Sequence, residues 1–316
     1  MGLKVLIPQK VSAEGEKFLL DRGYEIVTSD GITVEALKAA VADCDAILAR
    51  TAEFPAEVLE AGKKLKVIGR HGVGTNNIDV AAATRLGIQV VFTPLANSNT
   101  VAEQTISMML ALSRNLLFID RQFRQGNWEI RNQLQGSDLA EKTLGIAGLG
   151  RIGSLVAKKA SAFDVKVIGF DPFIDKAKIP ANVEMVNSLE EIFSKSDFVT
   201  LHMPFEKKLV GKSLFDLMKP TAYFINLSRG EVVFENDLIE ALQNKKMAGA
   251  ALDVFEPEPP DMLNNPLFKM DNVILTPHNA ALTKEATQRM AVHAAQGIDE
   301  VLTGKTPTWP VNKLTK

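Results

Sequence analysis

Strand-length apolar runs alternate with helical patterns along most of the chain, and this alternation constrains the fold more than any other feature. In the first 95 residues the candidate strands are KVLIP, YEIVT, AILAR, KVIGR and IQVVF. Helical patterns separate them, near residues 12–21, 33–42, 55–61 and 79–86. Such alternation is typical of βαβ units, in which helices cover the faces of a parallel sheet.

A second alternating series follows a mostly helical segment that runs from about Thr100 to Trp128. Its candidate strands are TLGIAG, VKVIGF, DFVTLH, YFINLS, AGAALDV and NVILTP. The last pattern, KEATQRMAVHAAQGIDEVLTG, is amphipathic and ends at Gly304, a residue type that often terminates helices. The sequence therefore predicts an α/β protein with two doubly wound parallel-sheet domains.

Composition argues against several classes of partner. The chain has 316 residues, of which 46% are hydrophobic and 23% charged, and its net charge is -2. Lysine and arginine form no basic block, so we expect no nucleic-acid partner. The longest apolar stretch is interrupted by polar residues and the N-terminus lacks a signal-peptide pattern, so we expect no membrane partner and a cytoplasmic location. The single cysteine, Cys44, is expected to be a small buried residue, and we expect no metal.

The second series opens with the motif GLGRIG, in which Gly148, Gly150 and Gly153 fit the pattern GxGxxG. The motif follows a candidate strand and opens a helix, and the next strand ends at Asp171, as in dinucleotide-binding βαβ units. The glycines allow a tight turn, backbone approach to a pyrophosphate and close helix packing, while the helix N-terminus attracts phosphates. Asp171 would accept hydrogen bonds from ribose hydroxyls and repel a 2′-phosphate. The motif therefore predicts NAD (NADH) as cofactor in preference to NADP.

Four histidines are candidates for proton transfer. His293 lies within the terminal helical pattern, where a surface or packing role is expected. His202 follows a strand and is expected to line the cofactor pocket. His71 precedes the loop GVG, whose amides could bind an anion, but nothing marks its imidazole as reactive. His278 follows the strand NVILTP, at the end where ligands bind in open α/β sheets.

Two other strands of the second series end in chargeable residues, Arg229 after YFINLS and two glutamates after AGAALDV. A cationic anchor, a carboxylate and the imidazole of His278 at carboxyl ends of strands form a set that could bind and protonate an acid substrate. Spacing alone leaves open whether Glu256 or Glu258 is the carboxylate of this set.

Several ordered motifs give the chain a resemblance to the D-isomer-specific 2-hydroxyacid dehydrogenase family, which includes phosphoglycerate dehydrogenase and hydroxypyruvate and glyoxylate reductases. These motifs are GRHGVGTNNID, NSNTVAEQ, GLGRIG, the pair Asp171-Pro172, LHMP, NLSRG, ALDVFEPEPP and TPHNA. The resemblance implies hydride transfer between NAD(H) and a small D-2-hydroxy acid or 2-keto acid, of the 3-phosphoglycerate, glycerate/hydroxypyruvate or glyoxylate class.

The resemblance also implies roles for the catalytic residues. Arg229 would bind the substrate carboxylate and carbonyl, His278 would exchange the proton, and a glutamate just before the proline pair would hold the histidine. This rule selects Glu258 and leaves Glu256 as a variable, solvated position. A carboxylate at hydrogen-bond distance favours the imidazolium, so Glu258 is expected to raise the pKa of His278.

Further binding residues are expected around this set. Substrate contacts are expected from Arg50, Gly72, Val73 and Gly74, together with Arg229. Cofactor contacts are expected from residues of the glycine motif and of the neighbouring strand ends: Val101, Gly148, Gly150, Arg151, Ile152, Gly153, Asp171, His202, Met203, Pro204, Leu227 and Asp253.

The resemblance implies a discontinuous domain arrangement. Residues 1–96 and 284–316 would form a flavodoxin-like substrate domain, and residues 97–283 an inserted Rossmann NAD-binding domain. The active cleft is expected between them. The segment 99–138 resembles the family's dimerisation arm, which predicts a homodimer.

Two departures from common family patterns bear on the substrate. The run after His278 is Asn279-Ala280-Ala281, where many members have a glycine. Arg50 is followed by Thr51-Ala52-Glu53, whereas phosphoglycerate-type members often carry Ser-X-Thr after the arginine. The carboxylate of Glu53 would stand where a substrate phosphate would lie, which disfavours a phosphorylated substrate. An alternative function is an NADH-sensing, corepressor-like binding protein of the same fold. A formate-type dehydrogenase is disfavoured, because that branch pairs its histidine with glutamine.

Overall fold

The computed structural model describes residues 2–204 and 207–314, and this part of the chain divides into two units. The first unit comprises Met1–Asn97 and Ala281–Lys316, apart from the residues outside the described ranges, and the second is Ser98–Ala280. Residues 1, 315 and 316 of the predicted substrate domain lie outside the described residues. The chain therefore leaves the first unit once and returns to it near the C-terminus.

The N-terminal part of the first unit alternates strands and helices as predicted. Its elements are β1 (Lys4–Leu6), α1 (Ala13–Leu20), β2 (Glu25–Val27), α2 (Val34–Val41), β3 (Ala46–Ala49), α3 (Ala56–Ala61), β4 (Val67–Arg70), α4 (Val80–Arg85) and β5 (Gln89–Val91). Among the described residues these strands form a five-stranded parallel sheet in the order β2-β1-β3-β4-β5. This is the flavodoxin-like order.

The second unit contains a helical segment followed by a second sheet. Its elements are α5 (Ser98–Ser113), α6 (Leu116–Arg124), α7 (Ile130–Gln133), β6 (Thr143–Ala147), α8 (Arg151–Ala160), β7 (Lys166–Phe170), β8 (Val183–Met185), α9 (Leu189–Lys195), β9 (Phe198–Leu201), α10 (Lys212–Phe215), β10 (Tyr223–Asn226), α11 (Glu235–Gln243), β11 (Gly249–Leu252) and β12 (Val273–Leu275). The described strands form a seven-stranded parallel sheet in the order β12-β11-β10-β9-β6-β7-β8. Six of its strands follow the Rossmann order, and β12 extends the sheet at one edge. The prediction of two doubly wound parallel sheets is confirmed.

Two local features differ from the sequence-based expectation. The sheet contains β8, which was not predicted because it is a three-residue edge strand with the exposed Glu184 at its centre. The predicted helical segment is divided into α5 and α6 at Asn115, which has the left-handed φ of 50°. Asparagine tolerates this conformation better than most residues, so it can separate two helices.

The last long helix, α12 (Lys284–Leu302), belongs to the first unit and packs closely on it. Thr283 caps its N-terminus by accepting from the Ala286 amide at 3.2 Å. Its contact surface is lined with small residues: a Cβ added to Gly69 in β4 would lie 2.8 Å from the Ala294 carbonyl oxygen. The helix ends before Gly304, which has a φ of 77°. The predicted terminal helix and its glycine stop are confirmed.

Cys44 lies in the core of the first unit, where it is 1% exposed. Its Sγ donates to the Ala40 carbonyl oxygen at 3.2 Å. Burial raises the pKa of its thiol to about 11, so the thiol stays protonated. The expectation of a small buried residue is confirmed.

Residues 2–204 and 207–314 contain no helix with the length and apolar character needed to cross a bilayer. The same residues contain no group of three or more His, Cys, Asp or Glu side chains arranged to hold a metal ion.

Candidate active site

The order of the seven-stranded sheet brings the three predicted catalytic residues to neighbouring strand ends. Arg229 follows β10, Glu258 follows β11 and His278 follows β12. Strand β11 pairs with both β10 and β12, and all three run parallel. Their carboxyl ends therefore meet at one edge, where ligands bind in open α/β sheets.

His278 and Glu258 form a direct pair. His278 Nδ1 lies 2.7 Å from Glu258 Oε2, and the Phe255 amide donates to Glu258 Oε1 at 3.0 Å. The His278 side chain is 50% exposed and that of Glu258 is 37% exposed. One carboxylate oxygen thus fixes the glutamate to its own loop, while the other orients the imidazole and leaves Nε2 for a second partner.

The pKa values of both members of this pair are shifted, and that of His278 is raised as predicted. The hydrogen bond to Glu258 raises the pKa of His278 and outweighs the opposing effect of burial. Burial raises the pKa of the Glu258 carboxyl, but the hydrogen bonds from His278 and Phe255 outweigh it, so the pKa falls below its usual value. The positive charge of Arg229 also acts on both groups and lowers both pKa values.

The turn that carries Arg229 is organised by the buried side chain of Asn226. Its Oδ1 accepts from the Ser228 amide at 3.0 Å and from Ser228 Oγ at 2.8 Å, and its Nδ2 donates to the Arg229 carbonyl oxygen at 2.9 Å. A Cβ added to Gly230 would collide with the Phe255 carbonyl oxygen. The Arg229 turn therefore packs directly against the segment that leads to Glu258.

The backbone of His278 has a left-handed φ of 48°, and Asp253 holds the segment around it. Asp253 is 1% exposed, and its carboxylate accepts from Thr276 Oγ1 at 2.5 Å, Asn279 N at 2.9 Å and Ala280 N at 3.0 Å. A left-handed non-glycine residue costs on the order of 1 kcal/mol or more and persists where surrounding contacts hold it. Asp253 was predicted as a cofactor contact, and in the structure its carboxylate holds the backbone around the histidine.

The glycine motif lies between β6 and α8. Gly148 has a φ of 93°, and a Cβ there would lie 2.6 Å from the His202 carbonyl oxygen. A Cβ on Gly153 would collide with the Gly148 carbonyl oxygen, whereas a Cβ on Gly150 would meet nothing within 4 Å. The space beside Gly150, at the start of α8, suits the approach of a pyrophosphate.

Asp171 follows β7 and is tied to the glycine loop. Its Oδ2 accepts from the Leu149 amide at 2.9 Å, and its Oδ1 accepts from the Phe173 amide at 2.9 Å. Each carboxylate oxygen keeps a further lone pair, which a ribose hydroxyl could occupy. Together with the open side of Gly150, this arrangement fits a dinucleotide.

The other predicted cofactor residues lie in the same unit. Arg151 and Ile152 begin α8, Met203 and Pro204 follow β9, Leu227 follows β10, and Val101 lies on α5.

The remaining histidines have environments unlike that of His278. Burial lowers the pKa of His202 to about 3, and its Nε2 lies 3.0 Å from Thr200 Oγ1. Its Nδ1 is buried and has no hydrogen-bond partner within residues 2–204 and 207–314. Burial lowers the pKa of His71 to about 4, and burial also lowers that of His293. All four histidines lie in the described part of the chain, and His278 is the one whose pKa is raised.

The predicted substrate residues of the first unit follow adjacent strands, Arg50 after β3 and Gly72 after β4. The Gly72 amide donates to Thr93 Oγ1 and to the Arg70 carbonyl oxygen, each at 3.0 Å. Because that amide is already engaged, the expected anion-binding role of the loop rests on the amides of Val73 and Gly74.

Most of the second unit matches a known protein family. Residues 106–280 match the family model described as D-isomer specific 2-hydroxyacid dehydrogenase, NAD binding domain. The chain belongs to the D-isomer specific 2-hydroxyacid dehydrogenase family. The resemblance predicted from the sequence is confirmed.

Individual members of the D-isomer specific 2-hydroxyacid dehydrogenase family match nearly the whole chain. It is 41% identical to D-3-phosphoglycerate dehydrogenase of Methanocaldococcus jannaschii over 99% of this chain and 62% of the relative. It is 42% identical to glyoxylate reductase of Thermofilum pendens over 88% of this chain and 84% of the relative. The crystal structure of the TT0316 protein from Thermus thermophilus superimposes with a TM-score of 0.91 at 31% identity, covering 98% of this chain and 100% of that one. The chain thus spans less than two thirds of the phosphoglycerate dehydrogenase relative, and these relatives give no support to the corepressor-like alternative.

Two residues that support the site were not predicted from the sequence. Asn226 and Thr276 were not singled out, although each is a polar residue at or just after the end of a strand, which is a usable signal. Glu256 was expected to be a solvated position, and it is exposed, with its side chain 36% accessible. Its carboxylate forms an ion pair with Lys208, which was not predicted. Lys208 lies in the segment after β9, and no spacing in the sequence predicts its contact with Glu256.

Proposed function

We propose that this chain is an NAD-dependent D-2-hydroxyacid dehydrogenase that interconverts a small D-2-hydroxy acid and its 2-keto acid. The observation that carries the proposal is the His278–Glu258 pair, 2.7 Å between Nδ1 and Oε2, beside Arg229 at three adjacent strand ends. Family membership supports the same reaction class.

Arg229 would bind and orient the substrate. Its planar guanidinium can donate two parallel hydrogen bonds to a carboxylate and a further one to the neighbouring carbonyl. In the first unit, Arg50 and the amides of Val73 and Gly74 would contribute further contacts to the acid. Binding at several points would hold the keto carbon with one face toward the cofactor.

His278 would supply the proton. Reduction of the keto group leaves negative charge on the carbonyl oxygen, and the imidazolium can donate a proton to that oxygen from Nε2. Glu258 holds the ring through Nδ1 and keeps it protonated at higher pH. In the oxidation direction the neutral imidazole would accept the hydroxyl proton at the same nitrogen.

The second unit would hold the cofactor, and bound NADH would supply the hydride. Gly150 and the start of α8 would bind the pyrophosphate, and Asp171 the adenosine ribose. Since a carboxylate repels a 2′-phosphate, we propose NAD(H) in preference to NADP(H). The neutral, buried His202 would line the pocket.

The proposal predicts loss of NADH absorbance with at least one of hydroxypyruvate, glyoxylate and phosphohydroxypyruvate. The value of kcat/KM with NADH should exceed that with NADPH, because Asp171 disfavours the 2′-phosphate. Comparing kcat/KM over a broader panel of keto acids would rank the substrates. Inactivity of the folded protein across that panel would refute the proposed function, and a preference for NADPH would refute the role of Asp171.

We also propose a homodimer formed through the segment 99–138. Four large apolar side chains of this segment are more than half exposed: Leu116 56%, Leu117 55%, Phe123 55% and Trp128 55%. The ring centroids of Phe123 and Trp128 lie 5.8 Å apart. Large exposed apolar side chains in one short segment are typical of a surface that another protein covers. Sedimentation equilibrium would show a dimer mass, and a monomer at micromolar concentration would contradict the assignment.

Replacing Glu258 with glutamine should move the decline of keto-acid reduction to lower pH. Glutamine can still accept from Nδ1, but it carries no charge to hold the imidazolium, so the raised pKa of His278 should fall. Reduction needs protonated His278 and therefore declines as pH rises through that pKa. The pH dependence of kcat/KM for reduction measures the shift.

The matched control is Glu256→Gln, two residues away in the same loop. Glu256 pairs with Lys208 and not with the histidine, so its pH profile should follow that of the wild type. An unchanged profile for Glu258→Gln, or an equal shift in both variants, would contradict the assignment of Glu258.

A further inference from the structure

The turn that follows β3 carries Arg50. The side chain of Gln9 forms hydrogen bonds to this turn. Gln9 Oε1 accepts from the Thr51 amide at 2.9 Å and from the Ala52 amide at 2.7 Å. Gln9 Nε2 donates to Thr51 Oγ1 at 2.8 Å. A single amide side chain thus binds three polar groups of the two residues that follow Arg50.

The side chain of Asn77 also forms hydrogen bonds to the same turn. Asn77 Nδ2 donates to the Ala52 carbonyl oxygen at 2.7 Å and to the Arg50 carbonyl oxygen at 3.3 Å. The backbone of Asn77 also accepts from the Phe54 amide at 2.8 Å. Gln9 follows β1 and Asn77 lies in the loop after β4, the two strands that flank β3 in the sheet. The peptide groups from Arg50 to Ala52 are therefore held from both neighbouring strands.

The guanidinium of Arg50 forms a hydrogen bond to the backbone beside Gln9. Its Nη1 donates to the carbonyl oxygen of Lys10, the residue next to Gln9, at 3.3 Å. A long arginine side chain loses considerable entropy when it binds a ligand. If the backbone of Arg50 is held before the ligand binds, the side chain has fewer orientations to lose. The entropy cost of binding is then smaller.

We propose that Gln9 is a positioning residue, which holds the Arg50 turn so that the guanidinium meets the substrate in one orientation. The inference rests on the proposed function, in which Arg50 contacts the keto acid. Gln9 itself does not touch the substrate and acts through Arg50. Its loss should therefore raise the KM for the keto acid and leave the chemical step, and the KM for NADH, almost unchanged.

The test is a double-mutant cycle of Gln9→Ala and Arg50→Met, in which methionine removes the guanidinium but keeps an unbranched side chain. Gln9→Ala should raise the KM for the keto acid by about tenfold, the effect of losing a few neutral hydrogen bonds that orient a charged group. With methionine at position 50, adding Gln9→Ala should raise this KM no further. Circular dichroism and thermal melting would establish that the variants are folded.

Two further variants separate positioning from general stability. Thr51→Val removes the partner of Gln9 Nε2 and keeps both backbone contacts, so it should raise the KM for the keto acid less than Gln9→Ala does. It also keeps the test valid if Gln9→Ala fails to fold. Lys38→Ala is the control: it breaks an exposed ion pair with Glu57, 2.9 Å long, in the same unit and should leave both KM values unchanged.

Three results would overturn the inference. Wild-type KM values for Gln9→Ala would show that the hydrogen bonds from Gln9 are not needed to position the Arg50 turn. Additive effects in the double variant would show that Gln9 does not act through Arg50. A wild-type KM for Arg50→Met would remove the residue through which Gln9 acts. A folded wild-type protein that reduces no keto acid would refute the proposed function as well, whereas the first three results refute only the role of Gln9.

Discussion

Replacing His278 with glutamine should lower kcat for keto-acid reduction by about 10³-fold, the usual contribution of a positioned general acid. Glutamine is uncharged and cannot deliver a proton to the developing alkoxide. The substrate would still bind through Arg229, so the KM for the keto acid should change little. Steady-state measurement of NADH consumption at saturating keto acid gives this comparison directly.

The matched control for this substitution is His293→Gln. His293 lies on α12, where its ring is 4.9 Å from the ring of Trp309 and its pKa is lowered by burial. This variant should retain wild-type kcat. A His278→Gln variant that keeps more than about one tenth of wild-type kcat would show that another group donates the proton.

Replacing Arg229 with lysine should lower kcat/KM for the keto acid by about 100-fold. Lysine keeps the positive charge but offers a single ammonium in place of the planar fork, so at least one charge-assisted hydrogen bond is lost and the acid is held less firmly. The loss corresponds to about 3 kcal/mol, which lies within the range for one or two such bonds. The KM for NADH should stay near its wild-type value.

Arg124→Lys controls for the general effect of exchanging the two cations. Arg124 pairs with Asp120 on the exposed face of α6, at 2.8 Å, and lysine can keep that pair. Its kcat/KM should equal that of the wild type. If Arg229→Lys also kept full kcat/KM, the bidentate role of Arg229 would be wrong.

The sheets could be predicted from sequence because most of their strands are buried on both faces. Strands β3 and β11, for example, are continuous apolar runs in which every residue is buried, which is the pattern of a parallel sheet covered by helices. Strand β8 gave no such signal, since it is short and lies at the sheet's edge. The left-handed Asn115 that ends the first long helix also has no periodic signature.

The catalytic residues could be predicted because each follows a strand in a recognisable motif. Their supporting hydrogen bonds could not, because they join residues far apart in the chain. Gln9 binds Thr51, and Asp253 binds the segment after β12, yet no spacing in the sequence marks either contact. Such contacts depend on which strands become neighbours, and strand order emerges only from the folded sheet.

The return of α12 to the first unit has a consequence for the order in which the chain can fold. One buried apolar cluster of that unit joins Val5, Leu48 and Val67 to Ala291 and Ala294 of α12. During synthesis this apolar face of the N-terminal strands stays uncovered until α12 has been made. The second unit is one continuous segment, so it can fold earlier. Contacts across so long a stretch of sequence form slowly, and an uncovered apolar face favours aggregation. The strands of the first unit are therefore synthesised well before the helix that completes their core.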